Sequence, residues 1–487
     1  MRFYNLFKQE IIKHKFLGKP FIVLTFIYCL GIVSIIRANF NYIDDLGRVS
    51  DGYRGWINWS RYISEGLSIF IHTDSRLMDI SPLPQILAAL FLALASAVLI
   101  YVFTEKEQFS KWNILAVLPL GLSPYFLECL SYKFDSPYMA LSVLASIFPF
   151  LFVKYGEKIY FAISVAGCLV MCMTYQASSG IYVLVTLFLA AKKINEGKFC
   201  LRFIGVSALS YIVSLVVFRI ALMRKLNDYA TTDTAGVSDL IPTVCSNIQT
   251  YFNLIYSDFN RVWLVLIALL AVAFIYSFVK VSSLKFYKSL LLAFAVLVCG
   301  GVLSYGGYIL LKHPLFAPRG MYGIGALLAI ISVCITVISK NKFTKIVCVL
   351  LSWCFFVFSF SYGNALAEQK RYTDFRVNML MTDLNKLQPQ NNMEMLMQLD
   401  GNIGKSPALT RRLEKRYPII KRLVPSTLGA SWWWNQYYLY NYFALPGITQ
   451  HFDTKKEDFK NLNLPLVVNS RYHDIWADNS HILVKFK

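Results

Sequence analysis

The chain has 487 residues, 56% of them hydrophobic and 16% charged, with a mean hydropathy of +0.49. A soluble domain of that length carries more charge and shorter apolar runs, so the sequence reads as a polytopic membrane protein. The net charge of +20 does not mark a nucleic-acid partner, because nearly all of the excess lies in short loops between apolar runs and no glycine-rich loop, basic helix or aromatic–basic repeat accompanies it.

Residues 1–19 are basic (Arg2, Lys8, Lys13, Lys15, Lys19) and lead into an apolar run that ends at Arg37. No small-residue cleavage site follows, which predicts a signal-anchor that stays in place. Eleven candidate spans are expected in all, at 20–37, 84–103, 112–130, 137–153, 159–175, 179–191, 203–222, 261–280, 289–311, 321–339 and 345–362. All approach the ~17–25 residues that a bilayer requires, except the short 179–191. The loops 104–111, 154–158, 192–202, 281–288 and 340–344 are rich in lysine, while alternate loops carry Asp44, Asp45, Asp135 and a few arginines. The positive-inside rule then predicts a cytosolic N-terminus and an outer first loop; an odd number of spans puts the C-terminus outside as well.

The first outer loop, 38–83, is too long for a plain connection, and loops beyond ~15 residues are usually functional. It opens with the adjacent acids Asp44 and Asp45. Adjacent acids in a soluble protein mean a solvated turn or a helix cap; at a membrane interface where acids are scarce they point to a general base and its partner. Farther on, YRGWINWSRYISEGLSIF sets Trp56, Trp59, Ile63, Leu67 and Phe70 on one helical face, which predicts either a helix lying among lipid headgroups or one packed on the outer domain. The next outer loop, SYKFDSPYM (131–139), holds Lys133 and Asp135 with little room to leave the membrane surface. Asp135 fits a cap on a helix starting at Pro137 as well as a third carboxylate beside the first two.

TYQASSG (174–180) offers Gln176 to a sugar hydroxyl, though turn chemistry explains it equally. LKHPLFAPRGMYG (311–323) places Lys312, His313 and Arg319 between two proline turns. Cations at that depth suit a lipid phosphate or serve as snorkelling anchors. Charged residues within spans are few, Glu128 and Arg219 lying near ends, whereas an ion-coupled transporter would carry them at mid-membrane. The ten cysteines sit mostly inside apolar runs, with no C-x-x-C pair and no Cys/His cluster of metal spacing. Residues 363–487 change character. Periodicity predicts helices at 364–386 and 406–423 and strands in MEMLMQL, LPLVV and HILVKF, a small outer α/β domain. It is basic (17 Lys and Arg against 11 Asp and Glu) and contains Trp432, Trp433 and Trp434, which either hold glycan or pack the domain on the membrane.

The runs NYIDDLGR (41–48), DISPLPQIL (79–87) and YKFDSP (132–137) together resemble the GtrII-type glucosyltransferases that modify bacterial O-antigen, and the order of the segments extends the resemblance over the membrane part. It implies a mainly α transmembrane bundle of GT-C type over 1–362 with a periplasmic C-terminal domain over 363–487, in the bacterial inner membrane. It also implies an undecaprenyl-phosphate glucose donor on the periplasmic leaflet and transfer to lipid-linked O-antigen of lipopolysaccharide, the chemistry of serotype conversion. Asp44 or Asp45 falls where that superfamily places its catalytic acid, and Asp135 in a second motif of the same pocket.

The chemistry agrees with that implication. An acceptor hydroxyl needs a carboxylate base, worth roughly 10²–10⁴-fold, and the lipid phosphate is a good leaving group whose charge Arg319, Lys312 or Lys133 would stabilise, with Arg48 and His313 as further candidate substrate-binding residues. A single displacement inverts the anomeric carbon. No cofactor is expected: a hard divalent cation takes more oxygen ligands than one acid pair supplies. An O-antigen polymerase would lean on arginines in its outer loop, and a flippase would need no catalytic carboxylate.

Overall fold

The computed structural model of the chain describes residues 18–105, 109–224, 233–236, 238–387, 394–430, 438–439, 447–451 and 457–487. The basic residues at 2–15 and Trp432, Trp433 and Trp434 lie outside the described residues.

Each apolar run is helical. The helices are α1 (Lys19–Ala38), α2 (Asp45–Asp51), α3 (Tyr62–His72), α4 (Leu83–Thr104), α5 (Lys111–Leu122), α6 (Pro124–Ser131), α7 (Ser136–Tyr155) and α8 (Glu157–Cys172). After them come α9 (Gln176–Asn195), α10 (Leu201–Leu222), α11 (Leu240–Asp258), α12 (Arg261–Lys280), α13 (Phe286–Leu303), α14 (Gly323–Ile338) and α15 (Lys342–Leu384). Among the described residues eight helices are long and apolar enough to cross a membrane, or nine if α5 and α6, bent by 61° at Ser123, make one span. The protein is therefore a multi-pass, mainly α membrane protein.

Two of the expected spans are shorter helices than the apolar runs suggested. α8 and α14 have 16 residues each, about 24 Å of helix against a hydrocarbon core of about 30 Å. α14 is buried from Gly323 to Thr336, enclosed by the other helices of the bundle. The run expected to be short, 179–191, belongs to the 20-residue α9, because a 3₁₀ turn at Gln176–Ser178 precedes it and its last turn continues through Lys192 and Lys193. A further helix, α11, was not expected at all. It buries Asn247, Tyr251, Ile255 and Asp258 and leaves Ile241 and Tyr256 exposed, too polar on one face to read as a span.

α15 is 43 residues long, about 65 Å, twice the thickness of the hydrocarbon core. Its first half packs on α1, and Gly363 permits the closest approach: a Cβ there would lie 2.4 Å from Ser34. Its second half leaves the apolar zone and buries Val377, Leu380 and Leu384 against a five-stranded sheet. The strands are β1 (Met395–Asp400), β2 (Ile448–Gln450), β3 (Leu466–Asn469), β4 (His473–Ala477) and β5 (His481–Phe486). They lie in the order β2-β1-β5-β4-β3; β1 runs parallel to β2 and β5, and β4 antiparallel to β3 and β5.

Three of the five strands fall where the sequence predicted them. The border drawn at 362/363 runs through one continuous helix, and the helix expected at 406–423 is broken into Leu409–Leu413, Glu414–Arg416 and Ile420–Leu423. That segment packs on the bundle rather than on the sheet, burying Leu409, Ile419, Ile420 and Leu423 in the bundle's core, with Tyr417 stacked on Trp263 at 5.5 Å. In return Leu46, from the first long loop, enters the core of the sheet domain. The two parts are thus stitched together at the loop that carries the acids.

Candidate active site

Asp44 and Asp45 are adjacent, yet the fold gives them opposite environments. Asp45 closes a tight turn: its Oδ2 accepts from the Tyr42 amide at 2.9 Å and its own amide donates to the Tyr42 carbonyl. The same Oδ2 also accepts from the Lys133 amide at 3.0 Å, tying the first loop to the second. Between them Ile43 is held at φ 46°, a left-handed conformation that costs a β-branched residue of order 1–3 kcal/mol and persists only where the surroundings impose it. The turn buries Asp45 completely. Asp44, at the start of α2, stays partly accessible. It makes no side-chain cap bond, and its carboxylate has no hydrogen-bond or ion-pair partner among the described residues.

Asp44 is nevertheless set among charges. Burial pushes its carboxyl above the ordinary range; the Arg48, Arg319 and Arg61 guanidinium groups oppose that, and Asp135 adds to it. Arg48 lies across the Trp56 ring, 4.3 Å from the centroid, and donates to Asp135 Oδ2. The other oxygen of Asp135 accepts from the Trp56 indole. Asp135 therefore does not cap the helix at Pro137 with its side chain; it is a buried counter-ion that holds Arg48. Arg319 is anchored by Glu128, whose Oε1 takes its guanidinium at 2.9 Å and whose Oε2 takes its amide. Arg61 stacks on Tyr175, 4.6 Å from the centroid, and donates to Gln176 Oε1 at 3.3 Å.

The other expected site residues divide. Gln176 also donates to the Trp59 carbonyl at 3.2 Å, so it latches the first loop rather than presenting a free amide to a sugar. Lys133 is spent on Asp79 at 2.8 Å. Lys312 and His313 are exposed in a segment bridged to Thr234 and are not among the main charges acting on Asp44. The helix expected across 56–70 is two pieces, a 3₁₀ turn at Trp56–Trp59 and α3, broken at Ser60, whose φ is 59°. α3 packs on the bundle, with Ile63 donating to Met173 and Ser64 to Thr174, and exposes Ile69 and Phe70. It does not pack on the sheet domain.

Three participants were not foreseen. Arg61 stands off the apolar face expected for the 53–70 stretch, which gave no sign of its place beside Asp44. Glu128 was noted only as lying near the end of a span, although a carboxylate inside an apolar run is itself a signal of a buried partner. Asp79, within DISPLPQIL, is the partner of Lys133. Among the described residues no group of three or more His, Cys, Asp and Glu side chains is placed to hold a metal ion. The oxygens of Asp45 and Asp135 that make hydrogen bonds are engaged by amides, a guanidinium and an indole rather than turned together.

Asp45 gives a pH signature. Burial raises its carboxyl to about 7 despite the opposing hydrogen bonds from Lys133 and Tyr42. A carboxyl whose pKa is higher folded than unfolded contributes stability that is fully present below its unfolded pKa of about 3.9 and is lost as pH rises through the folded value. Thermal stability in detergent should therefore decline between about pH 4 and pH 7. Asp45→Asn, which resembles the protonated form, should flatten that decline; an unchanged slope would remove Asp45 as its source.

The family Glucosyl transferase GtrII matches residues 33–330, a stretch that contains Asp44, Asp45, Asp135, Glu128 and Arg319. The chain is also 24% identical over 427 residues to the "uncharacterized 55.3 kDa protein in gtrB 5'region" of Salmonella phage P22, covering 81% of this chain and 84% of that protein. No solved structure matches it.

Proposed function

We propose, from the premise that the chain belongs to the GtrII glucosyl transferase family, that this membrane glycosyltransferase moves glucose from undecaprenyl-phosphate glucose to a hydroxyl of lipid-linked O-antigen. The observation that carries the reading is the partly accessible carboxylate of Asp44, without a hydrogen-bond partner among the described residues and under the influence of the Arg48, Arg319 and Arg61 guanidinium groups. A base needs an open oxygen, and a departing phosphate needs cations.

In this reading Asp44 takes the proton of the acceptor hydroxyl as it attacks the anomeric carbon. The bond to the lipid phosphate breaks on the opposite side, so the product is inverted. Arg319 and Arg61 receive the negative charge that develops on the phosphate, each fixed beforehand by Glu128 or by Tyr175 and Gln176, so little reorganisation is required during the reaction. Arg48 sets the ionisation of Asp44. Asp45 and Asp135 are positioning residues.

Lysine in the alternate loops supports a cytosolic N-terminus, with the Asp44 face and the sheet domain in the periplasm. A lipid donor fits that face, where no nucleotide sugar is present.

The test is transfer of labelled glucose from undecaprenyl-phosphate glucose to lipid-linked O-antigen in membranes that contain the protein, with the anomeric configuration of the product read by NMR. Label in the acceptor with an inverted anomer supports the reading. Labelled acceptor with a retained anomer would overturn single displacement. No labelled acceptor from this pair would overturn the choice of substrates.

A further inference from the structure

Beside the acids lies a cavity of about 220 Å³ that the reaction scheme above does not use. Asn39 and Pro82 are exposed at its mouth, while Phe40, Gln85 and Lys133 are buried around it. It is joined to the acid turn through Lys133, which lines the cavity and whose amide is held by Asp45.

Two features define what the cavity accepts. The first is Gln85, which is 4% exposed and has no hydrogen-bond partner for either polar atom of its carboxamide among the described residues. Buried amides are almost always bonded, and leaving one unbonded is costly enough to call for a partner. The second is charge. Lys133, the one cation among the described residues of the wall, is neutralised by Asp79 at 2.8 Å, in contrast to the Asp44 side, where the Arg48, Arg319 and Arg61 guanidinium groups act. A phosphate is therefore served by the Asp44 side and not by this cavity. What remains is a neutral amide and hydroxyl surface from Asn39, Ser81 and Gln85 opposite an apolar wall that includes Phe40 and Pro82. A pyranose ring has the complementary make-up, with hydroxyls at its edge and C–H groups on its faces.

We infer that this cavity is a subsite for an uncharged sugar ring, with Gln85 as its buried hydrogen-bonding group. The ring belongs either to the donor glucose or to a sugar of the acceptor glycan. The inference rests on the glycosyltransferase reading for its catalytic arm only.

Gln85→Leu keeps the approximate size of the side chain and deletes the amide. In the transfer assay it should raise KM about tenfold, the scale of one or two lost hydrogen bonds, and leave kcat within about twofold. A rise confined to the lipid donor assigns the ring to the donor, and a rise confined to the acceptor assigns it to the acceptor. A second arm needs no catalysis: ligand-observed NMR with methyl α-glucoside, and separately with the soluble oligosaccharide repeat of the acceptor, on purified protein in detergent. One of these should contact the wild type and Asp44→Asn but not Gln85→Leu. That NMR pattern without any transfer would keep the cavity and discard the transferase chemistry. Transfer with both KM values and the NMR contacts unchanged in Gln85→Leu would overturn the inference and leave a cavity that holds water only.

Discussion

Asp44→Asn abolishes sugar transfer while the protein still folds. The substitution is nearly isosteric, and the carboxylate that it replaces makes no bond among the described residues, so no packing or buried hydrogen bond is lost. What goes is the base. General-base catalysis is worth roughly 10²–10⁴-fold, so kcat should fall by that factor with KM for both substrates nearly constant. Asp45→Asn makes the contrast. Its carboxamide would keep an oxygen for the Tyr42 and Lys133 amides, so transfer should survive at a level that follows the amount of folded protein. The pH profile is a second readout. Burial raises the Asp44 carboxyl and the arginines only partly offset it, so the acid limb of kcat/KM should lie above the usual range for an aspartate, near 3.9. Full activity in Asp44→Asn, or loss of activity in well-folded Asp45→Asn, would move the base elsewhere.

The sequence offered both acids and no means of choosing between them. The choice is made by Ile43, whose left-handed backbone sends one aspartate into the protein and leaves the other accessible. A β-branched residue carries no local signal for that conformation. The cations show the same limit from another side. Arg319 finds Glu128 across 191 positions and Arg48 finds Asp135 across 87; periodicity, which reads neighbours three or four apart, is blind to both. The helices themselves were legible, because long apolar runs leave the backbone little alternative to helix in a membrane. Their ends were less so. Composition turns polar at about 362, yet α15 continues to Leu384, since a helix ends where its hydrogen-bonding ladder is broken and not where its surroundings change. Lys133 and Gln176 were expected to meet the substrate; in the fold their side chains are engaged by Asp79 and by the Trp59 turn.

The second large effect concerns the Arg48–Asp135 pair. Both side chains are about 6% exposed, and Asp135 has no second cation bonded to it among the described residues, only the Trp56 indole. Removing one partner of a buried pair leaves the other charge without compensation and costs about 3–5 kcal/mol. Asp135→Asn should cost that much in unfolding experiments in mixed micelles, because the amide cannot neutralise Arg48 and turns a donor toward either the guanidinium or the indole. Adding Arg48→Gln should recover most of the loss, since two neutral amides can bond to each other where the ions stood. Activity should not recover with it. Asp44 would lack the cation that acts on it most strongly, and losing the smaller opposing effect of Asp135 offsets this only in part, so its carboxyl would rise further and the acid limb of the pH profile would move to higher pH. Stability and activity thus part company in the double variant, which is what a pair that both supports the fold and tunes a base must do. If Asp135→Asn proved as stable as the parent, the pair would be no support of the fold; if the double variant transferred sugar with an unshifted profile, Arg48 would have no part in setting Asp44.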